Sequence, residues 1–171
     1  MVLKEDKSYL LRLLNQTVIK NMVSSIKVAM AIMDKTESDK KVFKVGEKAQ
    51  MSKVFTEKDV RQFAEVSTDT NPIHLDEDFA KNSVIGQRIV HGMLVASMFS
   101  AIIGNKLPGK GTIYLGQSIN FKKPILINDQ ITASVEITNI REDKPIITLE
   151  TLCFNEKAEI VIEGEAVVKI A

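Results

Sequence analysis

The chain has 171 residues, 44% of them hydrophobic and 26% charged, enough for one well-buried core and short for two. Its 23 Lys and Arg nearly balance 22 Asp and Glu, for a formal net charge of +1, so no global field marks a nucleic-acid or polyanion binder. One cysteine, Cys153, excludes an internal disulfide; with no signal-peptide pattern at the start and no apolar run near the roughly 20 residues that span a bilayer, a cytoplasmic chain without an integral membrane segment is expected.

In chain order, residues 8–33 carry Leu11, Leu14, Val18, Met22, Ile26, Ala29 and Met33 at three- and four-residue spacing, with Arg12, Gln16, Lys20, Ser24 and Lys27 on the other side. That spacing predicts an amphipathic helix. The polar run of residues 34–41 reads as a linker, so the expected organisation is a helical extension with its linker over 1–42 and one domain over 43–171. Lys48 to Phe55 has the look of a short strand; Thr56 then offers an N-cap hydroxyl, with Glu57 and Asp59 in the first turn of a helix reaching about Ser67. From Ile89 to about Asn105 a second helix is apolar around most of its circumference and is therefore expected to be buried. The remainder alternates apolar with polar residues over Thr112–Phe121, Gln130–Ile140, Ile146–Asn155 and Glu159–Ile170, with turn signals between them. Strand, helices and then a meander predict an α+β fold, an antiparallel sheet folded around one central apolar helix.

Two histidines are all the chain has, in Asp69-Thr70-Asn71-Pro72-Ile73-His74 and Val90-His91-Gly92-Met93. Histidine is the side chain best suited to proton transfer near neutral pH. Pro72 removes a backbone donor and pushes Asn71 toward extended geometry, so the first segment is expected to turn rather than continue as regular helix. In such a turn Asp69 and His74 can converge on one activated water, with Asn71 tying down the backbone. The same residues also fit a plainer role, Asp69 capping the loop and His74 sitting on the surface or satisfied in the core. No cysteine pair or third ligand at suitable spacing accompanies them, so no metal site is expected. Gly92, near the first turn of the buried helix, leaves backbone N–H groups open to a ligand that gains negative charge; it equally permits close packing of helix on sheet. Ser97 either bonds back to its own helix or points into the site, and His91 is expected to pack or cap rather than act as acid or base. The run Gly104 to Thr112 nearly matches a phosphate-binding loop but fails at Gly111, and a helix precedes it where that loop needs a strand. Cys153, between Leu152 and Phe154 in an expected strand, reads as a small buried hydrophobe.

The run Phe63 to Asp76, followed by Ile89-Val90-His91-Gly92-Met93-Leu94 and Ala96-Ser97, resembles the (R)-specific enoyl-CoA hydratases of the MaoC-like group, which have the hot-dog fold. The similarity continues through Leu107 to Gly111, Tyr114 to Gln117, Arg141 to Pro145 and Gly164 to Lys169, and is greatest to the short bacterial enzymes that feed polyhydroxyalkanoate synthesis. It departs at Thr68, where many members have Gly before the Asp. The resemblance implies that Asp69 and His74 hold and activate the water, that Gly92 N–H binds the thioester oxygen, and that Ser97 and Asn71 support the site. It implies reversible syn hydration of a trans-2-enoyl-CoA to the (R)-3-hydroxyacyl-CoA without metal or redox cofactor, the acyl group carried on CoA or on acyl carrier protein, and a homodimer with two sheets joined edge to edge.

Two other functions fit the same pocket: a non-catalytic acyl-thioester binding module and a hot-dog acyl-CoA thioesterase. Retention of both Asp69 and His74 favours the hydratase, because a pure binder needs no acid and base in one turn. Residues 1–42 lie outside the resemblance. Their polar face is weakly basic, with no acidic residue between Lys7 and Met33; packing against the domain or a second subunit, enlarging the oligomer, is the simplest expectation, and a membrane surface is the other.

Overall fold

The structure, a computed structural model, describes residues 18–30 and 41–170. The chain divides into two compact units, Met1–Val42 and Phe43–Ala171. In the first, helix α1 covers residues 18–30 with every side chain exposed; the expected helical residues 8–17 and 31–33 lie outside the described residues.

The second unit contains β1 (Lys48–Val54), α2 (Glu57–Ser67), α3 (Pro72–Leu75), α4 (Glu77–Lys81), α5 (Gly92–Asn105), β2 (Ile113–Phe121), β3 (Gln130–Ile140), β4 (Ile146–Phe154) and β5 (Ile160–Lys169). The strands form one antiparallel sheet in the order β1-β3-β4-β5-β2. Alternation decides which face is inside: Ile131, Ala133, Val135 and Ile137 of β3 and Ile147, Leu149 and Cys153 of β4 are completely buried, as period-two side-chain placement requires. On β5, Cys153 faces Ile162 and Phe154 faces Ile160, which leaves Val161 as an extra residue. This bulge resets the phase, so Val161 and Ile162 are both buried. Gly164 lets β2 and β5 approach, because a Cβ there would overlap the Ser118 carbonyl.

Helix α5 is the central element. Its Val95, Met98, Phe99, Ile102 and Ile103 pack with the inward residues of the sheet in one core, each large side chain contributing about 2 kcal/mol of burial. The helix starts at Gly92 rather than the expected Ile89. Ile89 and Val90 are extended, Ile89 N–H donating to Ile73 O at 3.3 Å and Val90 N–H to Ile125 O at 2.8 Å, while Ile89 O lies 2.8 Å from His74 Nδ1, so a tertiary partner claims the carbonyl that a helix starting at Ile89 would offer to Met93 N–H. The segment expected only to turn holds a short helix: Pro72 occupies its first position, where a missing N–H costs nothing. The run from Gly104 to Thr112 joins α5 to β2, the helix-to-strand turn expected of it.

Candidate active site

Helix α2 delivers the first catalytic candidate. Thr56 caps it by accepting from Asp59 N–H, while Thr56 N–H donates to Asp59 Oδ2 at 2.8 Å; this reciprocal pair fixes where the helix begins. At the other end Thr68 adopts a left-handed φ of 62° and reverses the chain into Asp69. The Asp69 carboxylate accepts Asn71 N–H at 3.2 Å, and Asn71 Oδ1 in turn accepts Ile73 N–H at 3.3 Å. Two successive side-chain turns thus bend the segment so that α3 presents His74 beside Asp69.

His74 is buried, and its Nδ1 lies 2.8 Å from the carbonyl oxygen of Ile89. A carbonyl can only accept, so Nδ1 carries the proton and Nε2 keeps its lone pair. Asp69, His74 and His91, with Gly92, Met93, Phe121 and Ile125, line a cleft of about 400 Å³ whose rim includes Lys122 and Lys123. The two lysines pair with Glu163 and Glu159, each at 2.6 Å. Gly92 is the first residue of α5, so its N–H has no intrahelical acceptor. A Cβ on Gly92 would stand 2.5 Å from Phe121 Cε1; glycine here leaves room for the aromatic wall of the cleft. The arrangement places a base with a free lone pair, a carboxylate and an unspent backbone donor around one small volume.

The other expected site residues are placed elsewhere. Asn71 caps α3 and does not line the cleft. Ser97 is exposed, and its hydroxyl donates to Leu94 O at 2.6 Å, bonding back to its own helix. His91 does not cap α5, since its side chain makes no cap bond; it packs, 2% exposed, stacked on His74 at 3.8 Å with 28° between the rings. Spacing alone gives no hint of this contact.

His91 is also the third group that could complete a metal site, because Asp69, His74 and His91 offer ligand atoms within 4.8 Å of one another. Stacked rings, however, hold their in-plane lone pairs side by side, and an ion about 2 Å from each nitrogen cannot lie in both ring planes. The three residues do not fit a metal. Cys153 is no nucleophile: burial pushes its thiol up to about 12.

Comparison with known proteins places this geometry in a family. The model of the MaoC-like domain matches residues 35–152. The chain is 52% identical to the (R)-specific enoyl-CoA hydratase of Aeromonas caviae over 126 residues, 74% of this chain and 94% of that one. It is 44% identical to the (R)-specific enoyl-CoA hydratase of Rhodospirillum rubrum over 127 residues, 74% of this chain and 88% of the relative. Among solved structures, the (R)-hydratase of A. caviae involved in PHA biosynthesis superposes with a TM-score of 0.75 at 50% identity, covering 77% of this chain and 99% of that one. The sheet wrapped around α5 is the hot-dog fold of these neighbours, and the chain belongs to the MaoC-like domain family.

Proposed function

We propose that this chain is an (R)-specific enoyl-CoA hydratase, a hydro-lyase that adds water reversibly and syn to a trans-2-enoyl-CoA to give the (R)-3-hydroxyacyl-CoA. The observation that carries the reading is the 2.8 Å approach of His74 Nδ1 to Ile89 O, which directs Nδ1–H at that carbonyl and leaves Nε2 as a base in the group of Asp69, His74 and His91, whose ligand atoms lie within 4.8 Å of one another. One of the pair takes a proton from water as the water oxygen bonds to C3. The π electrons move through C2 onto the thioester oxygen, where Gly92 N–H and the dipole of α5 stabilise the enolate. The proton taken from water is then handed back to C2 on the same face, directly or relayed between His74 and Asp69, which completes the product and restores both groups. Asn71 serves the site through the turn it fixes, and Lys122 and Lys123 would have to exchange Glu163 and Glu159 for the phosphates of CoA to hold them at the rim.

Assembly belongs to the same proposal. Sheet edge β2 exposes the apolar Ile113, Leu115 and Phe121, whereas β1, the other edge, exposes mainly polar residues, Lys48, Gln50 and Ser52, with Val54 at its end. An apolar edge is the one that needs a partner, so the homodimer forms along β2, the N-terminal helix adds to the oligomer interface, and the protein acts in the cytoplasm. Among the described residues no helix is long and apolar enough to cross a membrane.

Loss of the conjugated enoyl absorbance of crotonyl-CoA tests the activity. Wild type removes it, while Asp69→Asn and His74→Ala each reduce the rate by about 10²- to 10⁴-fold. Release of free thiol would mean a thioesterase instead, and saturable binding with unchanged absorbance would mean a binding module. Running crotonyl-acyl carrier protein in parallel identifies the carrier.

A further inference from the structure

We propose that His91 is a positioning residue for the acid/base pair: one ring nitrogen anchors the Asp69 backbone while its ring face sets the plane of His74. The inference rests on the hydratase reading and goes beyond it, because the side chain does not meet the reacting atoms. His91 stands at the N-cap of α5, yet only its backbone carbonyl, accepting from Val95 N–H, serves that helix; its side chain makes no cap bond. Its Nε2 instead lies 3.0 Å from the carbonyl oxygen of Asp69, 22 residues away in sequence. The carbonyl must accept, so Nε2 carries the proton and Nδ1 is bare. That Nδ1 is buried and finds no hydrogen-bond partner, a cost that an apolar side chain filling the same space would not bring. A plain packing residue has no reason to be histidine here.

The ring faces are used as well. Phe63 of α2 lies against His91 at 5.1 Å, and His74 is stacked on it at 3.8 Å. His74 gains a proton during the cycle, and an imidazolium is stabilised over a neutral aromatic face but repelled by a second cation. Protonating His91 would place a charge against His74 and a donor at Nδ1 with nothing to accept it. Burial accordingly lowers the affinity of His91 for a proton and a charged His74 lowers it further, against the opposing pull of Asp69 and its carbonyl. The remaining charged groups lining the cleft, Lys122 and Lys123, are paired with Glu163 and Glu159.

Two substitutions separate the roles. His91→Phe keeps an aromatic face and loses the bond to Asp69 O; His91→Gln keeps an N–H donor and loses the face. Because the chain has only two histidines, one substitution assigns both imidazoles in ¹⁵N-resolved NMR. In wild type His91 is expected as the Nε2–H tautomer, titrating below the usual imidazole range, and His74 as the Nδ1–H tautomer. On crotonyl-CoA, His91→Phe is expected to lower kcat about 100-fold with KM changed less than about threefold, through the displaced Asp69. His91→Gln, which keeps the donor to Asp69 O, is expected to lower kcat less than His91→Phe does, again with KM nearly unchanged. A His91 that titrates at or above the usual imidazole range, a wild-type Nδ1–H tautomer at His91, or two folded variants with wild-type kcat would each overturn the proposal. A wild-type spectrum showing the Nδ1–H tautomer at His91 would overturn the proposal even if neither variant folds. Absence of hydratase activity in wild type would sink the hydratase reading alone, because the tautomers are read without turnover.

Discussion

Thr68 holds a left-handed φ of 62° at the end of α2, a conformation in which a β-branched side chain is strained by about 1–2 kcal/mol. Glycine takes it without that strain but leaves a more mobile unfolded chain, which returns about 0.4–1 kcal/mol. Thr68→Gly is therefore expected to stabilise the fold by about 0.5–1 kcal/mol, a rise of about 1–3 °C in Tm by calorimetry; a fall in Tm would show that the Thr68 hydroxyl, which donates to Ser67 O at 2.7 Å, matters more than the strain. Gly92 answers to space rather than to φ. The nearest atom to an added Cβ belongs to the half-exposed ring of Phe121, which can swing aside, so Gly92→Ala should fold normally while the displaced ring crowds the thioester position. A drop of about 10- to 100-fold in kcat/KM on crotonyl-CoA with an unchanged melting curve is the expected result; wild-type kinetics would show that Phe121 yields without touching the substrate.

At the scale of elements, the capping box of α2 ties stability to acid pH. Lys53, first, and Thr56 hold the Asp59 carboxyl down to about 2 from 3.8. A depressed pKa stabilises the fold only while the group is ionised: the contribution is complete above about pH 4 and lost as pH falls through about 2. Because the Lys53–Asp59 pair is partly exposed, solvent screening cuts its worth well below the full shift, and Asp59→Asn is expected to cost about 1 kcal/mol at neutral pH. Urea midpoints of the two proteins should converge between about pH 4 and 2; a difference that persists at pH 2 would assign the effect to something other than the carboxylate. This helix is legible in the sequence because Thr56 and Asp59 signal locally, and the buried α5 because its apolar residues run around the whole helix. The start of α5 is not, since Ile89 and Val90 are as apolar as the helix itself and only their bonds to Ile73 and Ile125 keep them extended. Pro72 reads as a breaker in the sequence, although at the first helical position it is well placed. The site divides the same way. Asp69 and His74 converge through local turn chemistry that five residues encode, whereas the stack of His91 on His74 depends on two separate elements meeting and leaves no trace in spacing.

At the scale of the whole molecule, the question is what covers the apolar edge at β2. Leu115 is 53% exposed and Phe121, on the same strand, is 53% exposed while also lining the cleft. A second copy on this edge would bury the first and close the cleft beside the second, so assembly and activity are expected to fail together. Leu115→Arg puts a charge where the partner strand would lie, at a position that a lone subunit leaves in water and whose substitution costs little for folding. Light scattering after gel filtration should then give half the wild-type mass, with lower kcat/KM on crotonyl-CoA and an unchanged circular dichroism spectrum; a variant that keeps its mass would place the interface elsewhere. The described part of the N-terminal unit has its own uncovered stripe, Val18, Met22 and Ile26, with Lys20 and Lys27 on the other side. A chain beginning at Lys41 retains the whole sheet and α5, so if α1 adds to the oligomer interface it should run at a lower mass per assembly than that of the full chain minus forty residues per subunit. Unchanged stoichiometry, combined with binding of the full chain but not the shortened one to anionic vesicles, would instead assign the basic, apolar-striped helix to a lipid surface.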